Sequence, residues 1–184
     1  MHMFSCPVRI VIGGVIGGLM FSFLCPMSTA YARDVLPDIV QEQARIPLLP
    51  VGSGTYSKWG FTIYHATLWA PDGKWNAANP YALELRYARS LSQETLADSI
   101  IDDIEDEDVA DHATLARWSA GIKKTIPAVE DGDVMIGFVS PGAETLLYFN
   151  GKQIGEIKDP ALTSAFFNIW LGAGADEDLK NELL

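Results

Sequence analysis

Apolar and polar positions in the last third of the chain alternate and then change period. Thr145 to Phe149 and Lys152 to Ile157 predict two strands joined at Asn150-Gly151. That dipeptide suits a type I′ turn, in which both central residues need positive φ. Asp159 can cap a helix and Pro160 fits its first turn, where a missing N–H is harmless. Leu162, Ala165, Phe166, Ile169 and Trp170 then recur at helical spacing, and Gly172 is expected to stop the helix in the left-handed conformation. A hairpin therefore feeds a short helix with one large apolar face, Trp170 in its core. Such a face must lie on a sheet.

Earlier segments repeat these periods. Phe61 to Trp69 is rich in Thr, Ile, Tyr and Trp and ends at the turn Pro71-Asp72-Gly73. Tyr81 to Arg89 alternates, with Leu83, Leu85 and Tyr87 on one face and Glu84, Arg86 and Ala88 on the other. Ser90 to Gln93 fits a capping box, and Leu96, Ile100 and Ile104 give the next segment an apolar helical stripe. A second helix starts near Asp111, turns Leu115, Trp118 and Ile122 inward and ends before Pro127, with Lys123 and Lys124 in its last turn. Val134 to Val139 returns to strand. Strands, helices, strands and a final helical tail predict an α+β fold, a large antiparallel sheet with helices packed on one face.

The N-terminal segment reads as an address. Arg9, the apolar run from Ile10 to Leu24 and Ala30-Tyr31-Ala32 match a secretory signal cleaved after Ala32. The run of 15 residues is short of the roughly 20 that a spanning helix needs. The expected division is a signal peptide at 1–32, an extended proline-containing arm at 33–48 and one domain at 49–184, in an exported, periplasmic protein with no membrane span after cleavage. Cys6 and Cys25 leave with the signal, so the mature chain has no disulfide, no thiol nucleophile and no thiolate ligand. Its charge moves from −11 to −12 on loss of Arg9, a sign that opposes nucleic acid and anionic lipid surfaces.

An ordered series of blocks carries a resemblance. Gly52-Ser53-Gly54, Tyr64-His65-Ala66-Thr67-Leu68-Trp69, Ala82 to Tyr87, Arg117-Trp118, Gly132-Asp133, Phe149-Asn150-Gly151, Gly155, Ile157, Asp159-Pro160 and Ile169 to Gly172 follow one another over Leu49 to Leu184. This order and spacing resembles the exported, bacterial branch of the chalcone isomerase-like family. The resemblance implies that family's antiparallel sheet layered with helices and a ligand cleft between them. It does not imply one activity, because the fold hosts enzymes, fatty-acid-binding proteins and inactive relatives. The plant enzymes of the family use an arginine, a threonine, an asparagine and a tyrosine to hold a water and polarise a ketone. Those positions fall at Tyr56, Tyr64, Ser99 and Ser92, and none of the four residue types is retained. Without the cation that stabilises a developing oxyanion, chalcone cyclisation is not expected. The resemblance also implies an aspartate, as in many bacterial relatives, where this chain has His65.

A cleft lined by aromatic and hydroxyl groups remains. Tyr56, Tyr64, Trp69, Tyr87 and Trp118 suit an apolar ligand with one polar end, and Ser99 adds a hydroxyl. Arg86 or Arg117, if turned into the cleft, would hold a carboxylate through charge-assisted bonds of about 1.5–3 kcal/mol each. Each buried methylene would add about 0.8 kcal/mol, so a chain of a few methylenes outweighs the anchor. The competing readings are structural: Arg86 beside Glu84 on a solvated face, Arg117 paired with Asp98 or Asp102, and the aromatics as plain core. Two mature histidines, His65 and His112, are too few for zinc without cysteines, and no cofactor is expected. The acidic run Asp102 to Asp108 lacks the glycine and oxygen spacing of a calcium loop and reads as a solvated helix end. Gly52-Ser53-Gly54 is too short for a phosphate loop. Three functions stand: non-catalytic binding of a fatty acid or similar small apolar carboxylate; an intramolecular lyase or isomerase with Tyr64 and His65 as acid and base; and an envelope protein-interaction module.

Overall fold

The computed structural model describes residues 35–140 and 144–184; the expected signal peptide at 1–32 lies outside them. Its elements are α1 (Asp38–Ala44), β1 (Leu48–Lys58), β2 (Phe61–Pro71), β3 (Tyr81–Tyr87), α2 (Gln93–Glu105), α3 (His112–Thr125), β4 (Val134–Val139), β5 (Thr145–Phe149), β6 (Lys152–Ile157), α4 (Pro160–Leu171) and α5 (Glu177–Leu183). The strands form one antiparallel sheet in chain order, with α2 and α3 inserted between β3 and β4. Two-residue turns close two of its hairpins: Asn150-Gly151 with φ of 48° and 75°, and Trp59-Gly60 with φ of 54° and 80°. Both residues of each turn are left-handed, as type I′ geometry demands.

Alternation divides the sheet into two apolar faces. Ala66, Leu68, Leu83, Leu85, Met135 and Leu147 point to the larger core, where they meet residues of α2, α3, α4 and α5. Trp69, Ala82, Ile136, Phe138 and Tyr148 point the other way into a second cluster with Leu36, Val40, Ala44 and Leu48. The α+β class and the layering therefore hold for α2 to α5, while α1 takes the opposite face. That face is too apolar between β2 and β5 to be left in water. Residues 35–48, expected within an extended arm, instead hold a helix. Val40 and Ala44 lie one helical turn apart and are both buried, which drives a seven-residue helix between Pro37 and the left-handed Arg45. Gln41 fastens it, its Nε2 donating to Leu48 O at 2.9 Å and its Oε1 accepting from Leu48 N at 3.1 Å.

Local signals explain the remaining joints. Ser92, not Ser90, caps α2 by accepting from Thr95 N at 3.1 Å, and Asp111 caps α3 through Thr114 N at 2.7 Å. Asp159 caps α4 by accepting from Ala161 N at 3.0 Å while its other oxygen accepts from Trp118 Nε1 at 3.0 Å. One carboxylate thus ties α3 to α4. Gly172 ends α4 in an extended conformation (φ −80°, ψ −174°), not the expected left-handed one. Gly52 and Gly54 let α5 lie directly on β1: a Cβ on Gly52 would strike Glu182 O, and one on Gly54 would strike the Glu182 carboxylate. That close approach is the use of the Gly-Ser-Gly triplet.

Candidate functional site

Between the larger sheet face and α2 and α4 lies a cavity of about 880 Å³. Its floor is Leu83, Leu85, Met135 and Leu147, and Leu96, Ile100, Phe166 and Trp170 come down from the helices. A space of this size lies within the roughly 300–1,000 Å³ typical of small-molecule pockets.

One cross-strand row furnishes its polar side. Tyr56 pairs with Tyr64 and Tyr64 with Tyr87, so all three phenols project from the same face of β1, β2 and β3. Tyr56 stacks on Tyr64 with ring centroids 5.2 Å apart, and Tyr87 meets Tyr64 edge-on at 6.0 Å. Tyr64 Oη accepts from Trp170 Nε1 at 2.9 Å, which leaves its own proton to be donated. Tyr87 is only 3% exposed, and its hydroxyl has no hydrogen-bond partner among the described residues. Burial pushes the Tyr64 and Tyr87 phenols well above the ordinary range. Both stay protonated at any physiological pH and act as neutral donors.

One step toward solvent from this row stand Lys58, beyond Tyr56, and Arg89, beyond Tyr87, both lining the cavity. Lys58 Nζ lies 5.3 Å from the Trp59 ring and the Arg89 guanidinium 5.1 Å from that of Phe61. Asp103 and Asp106 of the α2 end also line the rim. Desolvation pushes the Asp103 carboxyl up, partly offset by Lys58.

The expected site residues divide. Tyr56, Tyr64, Tyr87 and Ser99 line the cavity; Arg86, Arg117, Trp69, Trp118 and His65 do not. Arg86 projects from the other sheet face and bonds Glu84 Oε1 at 2.9 Å. His65, also on that face, hydrogen-bonds through Nδ1 with Thr55 Oγ1 at 2.9 Å. Adjacent strand residues point oppositely, so Tyr64 and His65 cannot serve one substrate as acid and base. Trp69 is buried among residues of α1 and the second cluster. Trp118 is spent on the α4 cap, and Arg117 is exposed on α3. The expected pairing of Arg117 with Asp98 is taken by Lys123, whose Nζ is 2.8 Å from Asp98 Oδ1. Sequence reasoning missed Lys58, Arg89 and the role of Trp170 in orienting Tyr64. Among the described residues, no group of three or more His, Cys, Asp or Glu could hold a metal ion, and no helix is long and apolar enough to cross a membrane.

No curated protein matches the chain significantly. Among solved structures, a fatty-acid-binding protein of Arabidopsis thaliana is similar in fold, with a TM-score of 0.59 and 11% identity over 74% of this chain and 86% of that one. Residues 37–184 match the family described as chalcone isomerase-like, and with the layered sheet and the cavity in place the chain belongs to that family.

Proposed function

We propose that this protein is a non-catalytic binding protein for a fatty acid or similar small apolar carboxylate, of the family's exported bacterial branch, working in the periplasm. The observation that carries the proposal is the 880 Å³ apolar cavity with neutral phenols just inside a rim where Lys58 and Arg89 stand among the carboxylates Asp103, Asp106 and Glu107. The hydrocarbon tail lies over Leu85, Met135 and Leu147. The carboxylate stops at the rim, where Lys58 and Arg89 offset its charge and Tyr64 and Tyr87 donate to its oxygens. Tail burial at about 0.8 kcal/mol per methylene supplies affinity, and the head sets direction. Binding without turnover is supported by the separation of the expected acid–base pair: Tyr64 faces the cavity as a neutral donor, whereas His65 lies on the other sheet face beside Thr55. The fold shared with a plant fatty-acid-binding protein is consistent with this reading. Export is supported by Arg9, the apolar run after it and Ala30-Tyr31-Ala32.

Native mass spectrometry of gently purified protein tests the function. An added mass that leaves on delipidation and returns with a saturated fatty acid is expected. An empty protein with no affinity for fluorescent acyl probes contradicts it.

A further inference from the structure

The tip of the β1–β2 hairpin is built against the preferences of its own turn. Trp59 sits at φ 54° in a two-residue turn, where a bulky side chain is strained and Asn is favoured. The same chain uses the favoured Asn in the matching turn at Asn150-Gly151, with φ of 48°. Trp59 gains little within the fold in return: it is 87% exposed, and Phe61 across the turn is 61% exposed. The tip also overhangs the sheet. The β2–β3 pairing stops at Tyr64↔Tyr87, whereas β1 pairs with β2 as far as Lys58↔Phe61. Beyond the last bond to that neighbour, from Ala88 N to Ile63 O at 3.0 Å, Phe61 and Thr62 of β2 extend the hairpin by about 7 Å. Lys58 and Arg89 flank the two aromatic rings, and all four side chains border the cavity rim.

We propose that this tip docks on a zwitterionic lipid bilayer, with Trp59 and Phe61 entering the headgroup region and Lys58 and Arg89 meeting lipid phosphates, so that the cavity opens onto the membrane. Exposed aromatics beside basic side chains have the amphipathic character of side chains that settle at a membrane interface. The net charge of −11 and the rim carboxylates Asp103 and Asp106 select against a strongly anionic surface, whereas a zwitterionic lipid still presents a phosphate to each cation. Passage of a ligand between bilayer and cavity rests on the binding reading above; the docking does not, and it is measured without ligand.

Delipidated protein is mixed with phosphatidylcholine vesicles, and co-sedimentation is compared for wild type, the variant Trp59→Asn with Phe61→Ser, and Leu49→Ser. Leu49 is an exposed control (50%) at the far end of the same hairpin. Wild type and Leu49→Ser are expected to partition alike, and the tip variant about tenfold or more weaker, from loss of two interfacial aromatics. Trp59→Asn alone is expected to hold or raise the thermal midpoint, because Asn relieves the left-handed turn. Loss of vesicle binding without loss of stability separates docking from a structural role. Equal partition of wild type and tip variant overturns the proposal. So does wild type that stays in solution beside the vesicles, which would leave the tip to a protein partner.

Discussion

Replacing Tyr64 by Phe removes one oxygen from the centre of the phenol row and takes away the acceptor of Trp170 Nε1, a bond of 2.9 Å. Trp170 is 5% exposed, so its donor is left facing the cavity with no protein acceptor. An unsatisfied buried donor costs about 1–3 kcal/mol; cavity water can partly replace the phenol, which favours about 1–2 kcal/mol. For a domain of this size each kcal/mol moves the thermal midpoint by about 2–4 °C, so a fall of about 2–8 °C is expected. Trp170→Phe removes the same bond together with indole packing against Phe166, whose ring centroid lies 5.5 Å away. Combined with Tyr64→Phe, it removes the donor and the acceptor together. Urea unfolding of the wild type, both single variants and the double variant therefore closes a cycle with a coupling of about 1 kcal/mol, the double variant being more stable than the sum of singles predicts. Additivity within about 0.3 kcal/mol would refute the idea that Trp170 holds Tyr64 in place.

Three further outcomes follow from the same geometry. Lys58→Gln and Arg89→Gln should each weaken a fatty acid about threefold to tenfold in a titration while leaving the alcohol of equal chain length nearly unchanged, since both cations are exposed and screened. Hydrogen bonding from Trp118, then from the α4 backbone, holds the Asp159 carboxyl below its ordinary value. Its stabilisation is therefore present above the unfolded carboxyl pKa of about 3.9 and is lost as pH falls through the lower folded value; Asp159→Asn should flatten the loss of urea midpoint in that acid range. Gly52→Ala should destabilise by about 1–3 kcal/mol in the same assay, because the new methyl meets α5 backbone that cannot rotate aside.

The fold was more legible in sequence than the site. Asn150-Gly151 announced its turn, and Asp111, Asp159 and Pro160 announced helix starts, because each signal is local and has one physical reading. The segment containing α1 was missed because a helix of seven residues offers only Val40 and Ala44 as a stripe, and the need for a cover arises from side chains far away in sequence, such as Ile136 and Tyr148. Cavity walls and packed core are built from the same residue types, so Leu85 and Met135 could not be told from Leu68 by pattern. Alternation did contain one unused answer. If Tyr87 and Tyr64 face the cleft, Arg86 and His65 face away, so neither is placed to hold a head group there. Trp59-Gly60 hid in plain sight because its aromatic is not a turn residue.

The central claim is that an acyl chain fills the cavity while its head remains at the rim. Calorimetric titration of delipidated protein with saturated fatty acids of increasing length tests it most directly. Affinity should rise about fourfold per added methylene, the equivalent of about 0.8 kcal/mol, until the cavity is full and the gain stops. Affinity that is the same for short and long acids, or no heat with any of them, would contradict the account.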